Sequence, residues 1–272
     1  MRLLTLNIAH GRGLSLYQGF HSFRNIHRNL ERISHLLRRL RPNIVALQEV
    51  DERSHWNKHI NLLEEIQRGA AYSYGFLGVH NRRSGRKQLA YGNAILSHHP
   101  ISSSESIPFG MKSLGEKGYV FAEIKYGEDI VNLINLHLDF KSRRVRTEQV
   151  EQIIDYLDKK SYGINGSGLV APIICGDFNT TSKRQRDAVQ HLWAHVRRYT
   201  DYQIYPQGTA PTFPAHFPKW SLDFVLVPAA YEVTSCRVIR SYVSDHRPVL
   251  LQLRKRKRVV EQGIEMPQVA SG

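Results

Sequence analysis

Pro172-Ile173-Ile174-Cys175-Gly176-Asp177-Phe178-Asn179 is the stretch on which the reading of the chain turns. A short, continuous apolar run is the mark of a strand covered on both faces. Here it ends on a glycine, an acid and an amide. The same arrangement occurs three more times. Leu3-Leu4-Thr5-Leu6 ends in Asn7, Ile44-Val45-Ala46-Leu47 in Gln48-Glu49, and Leu133-Ile134-Asn135-Leu136 in His137. Folds that mix helices and strands gather their sites at strand ends, because rigid elements aim side chains into one crevice. One such case is a turn; four, all with ligating or hydrolytic side chains, imply a site.

Outward from these runs, apolar residues at Ile26, Leu30, Ile33, Leu37 and Leu40 make a helical stripe that Pro42 stops. Asn57–Gln67 reads as a second helix. Val150, Ile153, Ile154 and Leu157 give a third, with a loop at Gly163–Gly168 behind it, and Lys183–His195 gives a fourth. Further strands are expected at Ala90–Ser97, Tyr119–Ile124, Ile130–Leu138, Leu222–Val227, Ser235–Ile239 and Val249–Leu253. Helices join some strands and short links join others, which implies an α+β domain of sheets packed face to face and covered outside by helices. Residues 1–253 form that domain, and the basic, then polar, stretch 254–272 is expected to be a flexible tail.

The last third adds two acids. Asp223 interrupts the strand-like Leu222-Asp223-Phe224-Val225, and burying it without a partner would be costly, so a histidine or other donor is expected beside it. Ser244-Asp245-His246 precedes the apolar Val249-Leu250-Leu251. An adjacent Asp and His at a strand entrance suit a metal ligand and a general base.

The 272 residues carry a formal charge of +14, clustered at residues 38–41, 82–87, 143–146 and 254–258. Such a surplus favours anionic partners, whether nucleic acid, a phospholipid surface or a phosphorylated substrate. With 41% hydrophobic residues the chain can bury a core, and no run approaches the roughly 18–20 apolar residues of a membrane span. The opening residues read as a strand instead of a signal peptide, so a cytoplasmic protein is expected. The two cysteines, Cys175 and Cys236, lie in apolar runs and read as buried thiols. Two His-x-x-x-His pairs, His55/His59 and His191/His195, would share a helix face but lack the glutamate of a zinc protease motif.

Asn7, Leu47-Gln48-Glu49, His137, Gly176-Asp177-Phe178-Asn179, Asp223 and Ser244-Asp245-His246 stand in an order and spacing that resemble the endonuclease/exonuclease/phosphatase (DNase I-like) superfamily. The likeness runs from Asn7 to about Leu253 and is greatest to bacterial members of unsettled substrate. It implies a four-layer α/β/β/α sandwich of two mixed sheets. It implies Mg²⁺ or Mn²⁺ held by Glu49 with Asn7 and Asp245, which suits a hard cation. It implies His246, oriented by Asp223, as the base for an attacking water, with Asp177 as the rival for that role. Asp177 and Asn179 would position water and phosphate, and His137 would donate a hydrogen bond to a phosphoryl oxygen.

AP endonucleases of this superfamily carry an acid where this chain has Ala9, which points away from abasic-site repair. The expected activity is hydrolysis of phosphodiesters, first in DNA or RNA and alternatively in a phospholipid or inositol phosphate, by a monomer with no obligate protein partner. Tyr199, Tyr202, Tyr205, Phe213, Phe217 and Trp220 are candidates for stacking on bases.

Overall fold

The structure is a computed structural model that describes residues 1–15, 17, 19, 21–110, 116–160, 171–180, 187–208 and 210–256. Its first unit is β1 (Arg2–Asn7), α1 (Phe23–Leu40) and β2 (Ile44–Asp51), with β1 and β2 parallel. Ser22 caps α1 by accepting from Asn25 N, and Arg41 ends it in the left-handed region at φ 50°. The stripe of Ile26, Leu30, Ile33 and Leu37 is buried against the first sheet, each side chain contributing about 1.5–3 kcal/mol.

α2 (Leu62–Ala70) starts five residues later than expected, because Asn61 is its cap and residues 55–57 form a separate 3-10 turn. β3 (Tyr74–Arg83) and β4 (Leu89–Ser97) complete this half.

The second half repeats the plan. β5 (Ile101–Pro108), β6 (Gly118–Tyr126) and β7 (Asp129–His137) lead through α3 (Arg143–Lys160) to β8 (Ile173–Asp177), parallel to β7. α4 (Ala188–Val196), β9 (Tyr202–Tyr205), β10 (Asp223–Pro228), β11 (Tyr231–Val238) and β12 (Val249–Lys255) follow. Two six-stranded sheets result, ordered β11-β12-β1-β2-β4-β3 and β5-β6-β7-β8-β10-β9. The layers are the expected α/β/β/α sandwich.

Alternating side chains divide the core. Leu4, Leu6, Val45 and Leu47 face α1 and α2, whereas Leu3, Ile44 and Ala46 meet Val120, Leu133, Ile173 and Cys175 of the other sheet. A polar seam crosses this inter-sheet core. Asn135 Nδ2 donates to Leu47 O and Ala94 O, each at 2.9 Å, and Asn135 Oδ1 accepts from Gln48 Nε2 at 2.7 Å. Gln48 also reaches Thr5 Oγ1, and Asn93 Nδ2 donates to Gly118 O.

Two expectations change. β12 extends two residues past Leu253, and Arg254 and Lys255 pair with Glu232 and Asp129, so they belong to the sheet and not to a tail. Residues 257–272, the loop 163–168 and the first residues of the fourth helix lie outside the described residues. Cys236 is half-buried, while Cys175 is buried as expected, and both are free thiols. No helix among the described residues is long and apolar enough to cross a membrane.

Candidate active site

Strand polarity assembles the site. β1, β2, β7 and β8 all end on one edge of the sandwich, delivering Asn7, Glu49, His137 and Asp177. β10 and β12 are antiparallel to β8 and β1, so their beginnings lie on that same edge: Asp223 pairs in register with Asp177, and Asp245 and His246 precede Val249 opposite Thr5. Seven of the expected residues, Asn7, Glu49, His137, Asp177, Asn179, Asp245 and His246, line one cleft of about 530 Å³. Asp223 is fully buried behind His246.

Local backbone features aim these groups. Glu49 sits at φ +55° where the β2–β4 register shifts between Leu47 and Val50. A bulge of this kind re-aims a side chain out of the ladder, and a glutamate in the left-handed region inside a strand is strained backbone. Gly176, at φ +140°, lies so close to the β7 backbone that a β-carbon would stand 1.9 Å from Leu136 O. Asn179 turns the chain at φ +50°, its N–H donating to Asp177 Oδ1 and its side chain to Leu138 O. Ser244 Oγ donates to Asn7 O at 2.6 Å, tying the Asp245–His246 segment to the end of β1.

Two groups of contacts meet across the cleft. His246 enters with β12 of the first sheet and reaches across to the second, its Nδ1 2.9 Å from Asp223 Oδ2 and its Nε2 3.7 Å from Asp177 Oδ2. Burial disfavours charge on His246, but Asp223 and Asp177 outweigh it and raise the imidazole well above its usual range. Burial also raises Asp177, against the pull of His246. The two act as one proton-holding unit. Asn7 Nδ2 donates to Asp177 Oδ2 at 3.0 Å, so the two halves are in direct contact.

At the end of β2, burial opposes charge on Glu49, yet His10 from its own sheet and Lys117 and His137 from the other prevail and hold its carboxyl below the ordinary range. Burial and the Lys117 ammonium push His137 well below its usual range, which favours the neutral imidazole. His137 Nε2 lies 3.4 Å from Asp177 Oδ2.

Three contributors were not anticipated. Lys117 Nζ donates to Glu49 Oε1 at 3.3 Å. Arg12 holds Asp245 Oδ2 at 2.7 Å. Buried His10 bridges Asp51 Oδ2 at 2.8 Å and Glu49 Oε2 at 3.5 Å, with the Trp56 indole donating to the other Asp51 oxygen. His10 and Arg12 lie in His10-Gly11-Arg12, directly after the first strand, and that adjacency was the signal available for them. Lys117 had none beyond its charge.

The donor set fits a hard divalent cation. Glu49, Asn7 and Asp245 offer oxygen atoms to one cleft, and the Lys117 ammonium against Glu49 shows that carboxylate meeting positive charge there. Asp177, Asp223 and His246 also bring ligand atoms within 4.8 Å of one another. The histidine pairs are otherwise engaged: His55 lies by Gln88 O, and His191 and His195 lie by Glu151 and Asp158. Ala9 is buried, and its N–H donates to Asn7 Oδ1.

Of the aromatic candidates, Tyr202 is buried, Tyr199 binds Asp158, and Tyr205 sits in β9 against β10. Phe213 and Trp220 line the cleft with Phe140, and Phe217 is exposed.

A sequence profile described as the endonuclease/exonuclease/phosphatase family matches residues 4–246. No curated protein matches the sequence. Among solved structures, an endonuclease/exonuclease/phosphatase from Beutenbergia cavernae is similar at TM-score 0.71 and 19% identity, over 94% of this chain and 71% of that one. The mannosyl-6-phosphatase of Bacteroides thetaiotaomicron aligns at 0.68 and 15%, over 93% of this chain and 99% of its own. The catalytic domain of human Nocturnin aligns at 0.67 and 16%, over 94% and 93%. At these identities the likeness is one of fold.

Proposed function

The chain belongs to the endonuclease/exonuclease/phosphatase family, and from that premise we propose that it is a Mg²⁺- or Mn²⁺-dependent phosphodiesterase acting on nucleic acid. The family is hydrolytic. The observation that carries the finer reading is the meeting, in one cleft, of three oxygen donors with a proton-holding pair that spans the two sheets. Glu49, Asn7 and Asp245 would hold the cation, which when bound supplies positive charge to the substrate's phosphate.

The chain's own groups do the rest. A water attacks phosphorus, its proton passes to the Asp177–His246 pair, and the phosphorus–oxygen bond to the leaving group breaks. Asp223 fixes the imidazole through Nδ1. Neutral His137 and the Asn179 amide orient the phosphoryl oxygens without adding charge. The cationic surplus and the exposed rings of Phe140 and Trp220 at the cleft favour a polynucleotide over a small phosphate ester.

The test is an activity panel of plasmid DNA, single-stranded RNA, sphingomyelin and inositol phosphates, with Mg²⁺, with Mn²⁺ and in excess EDTA. Hydrolysis of DNA or RNA is expected, lost in EDTA and reduced about a hundredfold or more in Glu49→Gln, which keeps the shape and removes the charge. Full activity in EDTA would falsify the metal assignment. Activity confined to sphingomyelin or inositol phosphate would remove the nucleic-acid substrate.

A further inference from the structure

Beyond the cleft, the outer face of α1 carries a second basic surface that the chemistry above does not use. Arg28, Arg32, His35 and Arg39 recur at helical spacing along the exposed side of α1. They form one wall of a groove of about 740 Å³ whose other wall is Ser241, Tyr242 and Val243. None of Arg28, Arg32 and Arg39 has a carboxylate partner among the described residues, and Glu31 is the sole acid lining the groove. Surface arginines left unpaired in a concavity keep a positive potential that an anion can neutralise.

The groove also lies next to the site. A smaller depression of about 410 Å³ joins them, shared with the cleft through Arg12 and with the groove through Arg28, Arg32 and Tyr242. Tyr242 is 43% exposed, and Arg240 donates to its hydroxyl at 3.0 Å, which holds the ring in place beside the cationic row.

We propose that this groove binds the sugar–phosphate backbone of a polynucleotide whose scissile phosphate lies in the cleft, with Tyr242 offering a face to a base. The proposal rests on the phosphodiesterase reading of the cleft and names the part of its substrate that lies outside it. From Arg28 to Arg39 the helix rises about 16 Å at 1.5 Å per residue, about the span of five nucleotides of a B-form strand. A row of cations beside an exposed ring matches the backbone-tracking and stacking mode of strand binding. A concave, arginine-walled groove suits a threaded anionic chain better than a flat bilayer surface.

The experiment compares the full chain with the triple variant Arg28→Gln/Arg32→Gln/Arg39→Gln. Binding of a fluorescein-labelled single-stranded DNA of about 20 nucleotides is measured in EDTA by anisotropy across a salt series. Hydrolysis of bis(p-nitrophenyl) phosphate, too small to reach the groove, is measured with Mg²⁺. The triple variant is expected to bind the strand at least tenfold more weakly, with the slope of log K against log salt reduced by about 2, one counterion-release increment of about 0.7 per arginine. Small-ester turnover and the unfolding midpoint should match the parent, and Tyr242→Ala should weaken strand binding with the salt slope unchanged.

Unchanged affinity and slope overturn the proposal. So does a variant that loses binding to phosphatidylserine vesicles while keeping the strand. Should the parent hydrolyse nothing on the panel while the triple variant loses strand binding as described, the groove stands and the phosphodiesterase reading falls.

Discussion

Asp223 never reaches the cleft, yet the chemistry depends on it. Its carboxylate takes the Nδ1 proton of His246, which leaves Nε2 facing Asp177. Asn in its place can present an amide N–H to Nδ1 and so turn the ring to the wrong tautomer. Asp223→Asn is therefore expected to lower kcat by about 10²- to 10⁴-fold, with KM and the unfolding midpoint near the parent values. A near-normal kcat in a folded Asp223→Asn protein would remove the orienting role. Glu49 shows a different kind of dependence. Its aim comes from the left-handed backbone inside β2, so what points it at the cleft is the bulge and not the strand's natural alternation.

Among the elements, β7 and β2 matter most to each other. Within β7, the Asn135 side chain binds two carbonyls of the opposite sheet, at Leu47 and Ala94, while also accepting from Gln48. Asn135→Leu would leave these groups buried without partners, at about 1–3 kcal/mol each. A loss of about 3 kcal/mol or more is expected in urea unfolding, together with reduced kcat, because Leu47 lies two residues before Glu49. A variant with parental stability would show that water or a shift of the sheets replaces the contact.

Much of this architecture was legible because the buried strands β1, β2, β7 and β8 are uninterrupted apolar runs that end in reactive side chains. β5, rich in serine, and the short β9 are edge strands that bury little, so their alternation was too weak to read. Asn135 was visible in its apolar run, but its partners lie 41 and 88 residues away and only the packing of sheets brings them together. The same holds for Lys117, which reaches Glu49 because Gly118 pairs with His137 at the edge where the strands end.

At the scale of the molecule, His80 couples folding to pH. It is 5% exposed, bridges from β3 to Tyr119 O of β6, and burial lowers its pKa to about 4. The unfolded chain has an ordinary histidine near ~6.5. Above that pH both states are neutral and His80 adds no pH dependence. As the pH falls from about 6.5 towards 4, only the unfolded state takes up the proton, so stability drops by up to about 3 kcal/mol. Urea unfolding at pH 7 and pH 4.5 should show this loss, and His80→Gln should flatten it. An equal slope in both proteins would place the acid sensitivity elsewhere.

The strand order also carries a timetable. The second sheet is contiguous, β5 through β10, and can close as soon as residue 228 has emerged. The first sheet cannot: β1 waits for β12, more than 240 residues later, to cover its other side. Asp245 and His246 arrive with that closing strand. Between the closing of the second sheet and the docking of β12 the chain holds a formed half-sandwich with an inert edge, and the site is complete only when β12 is in place.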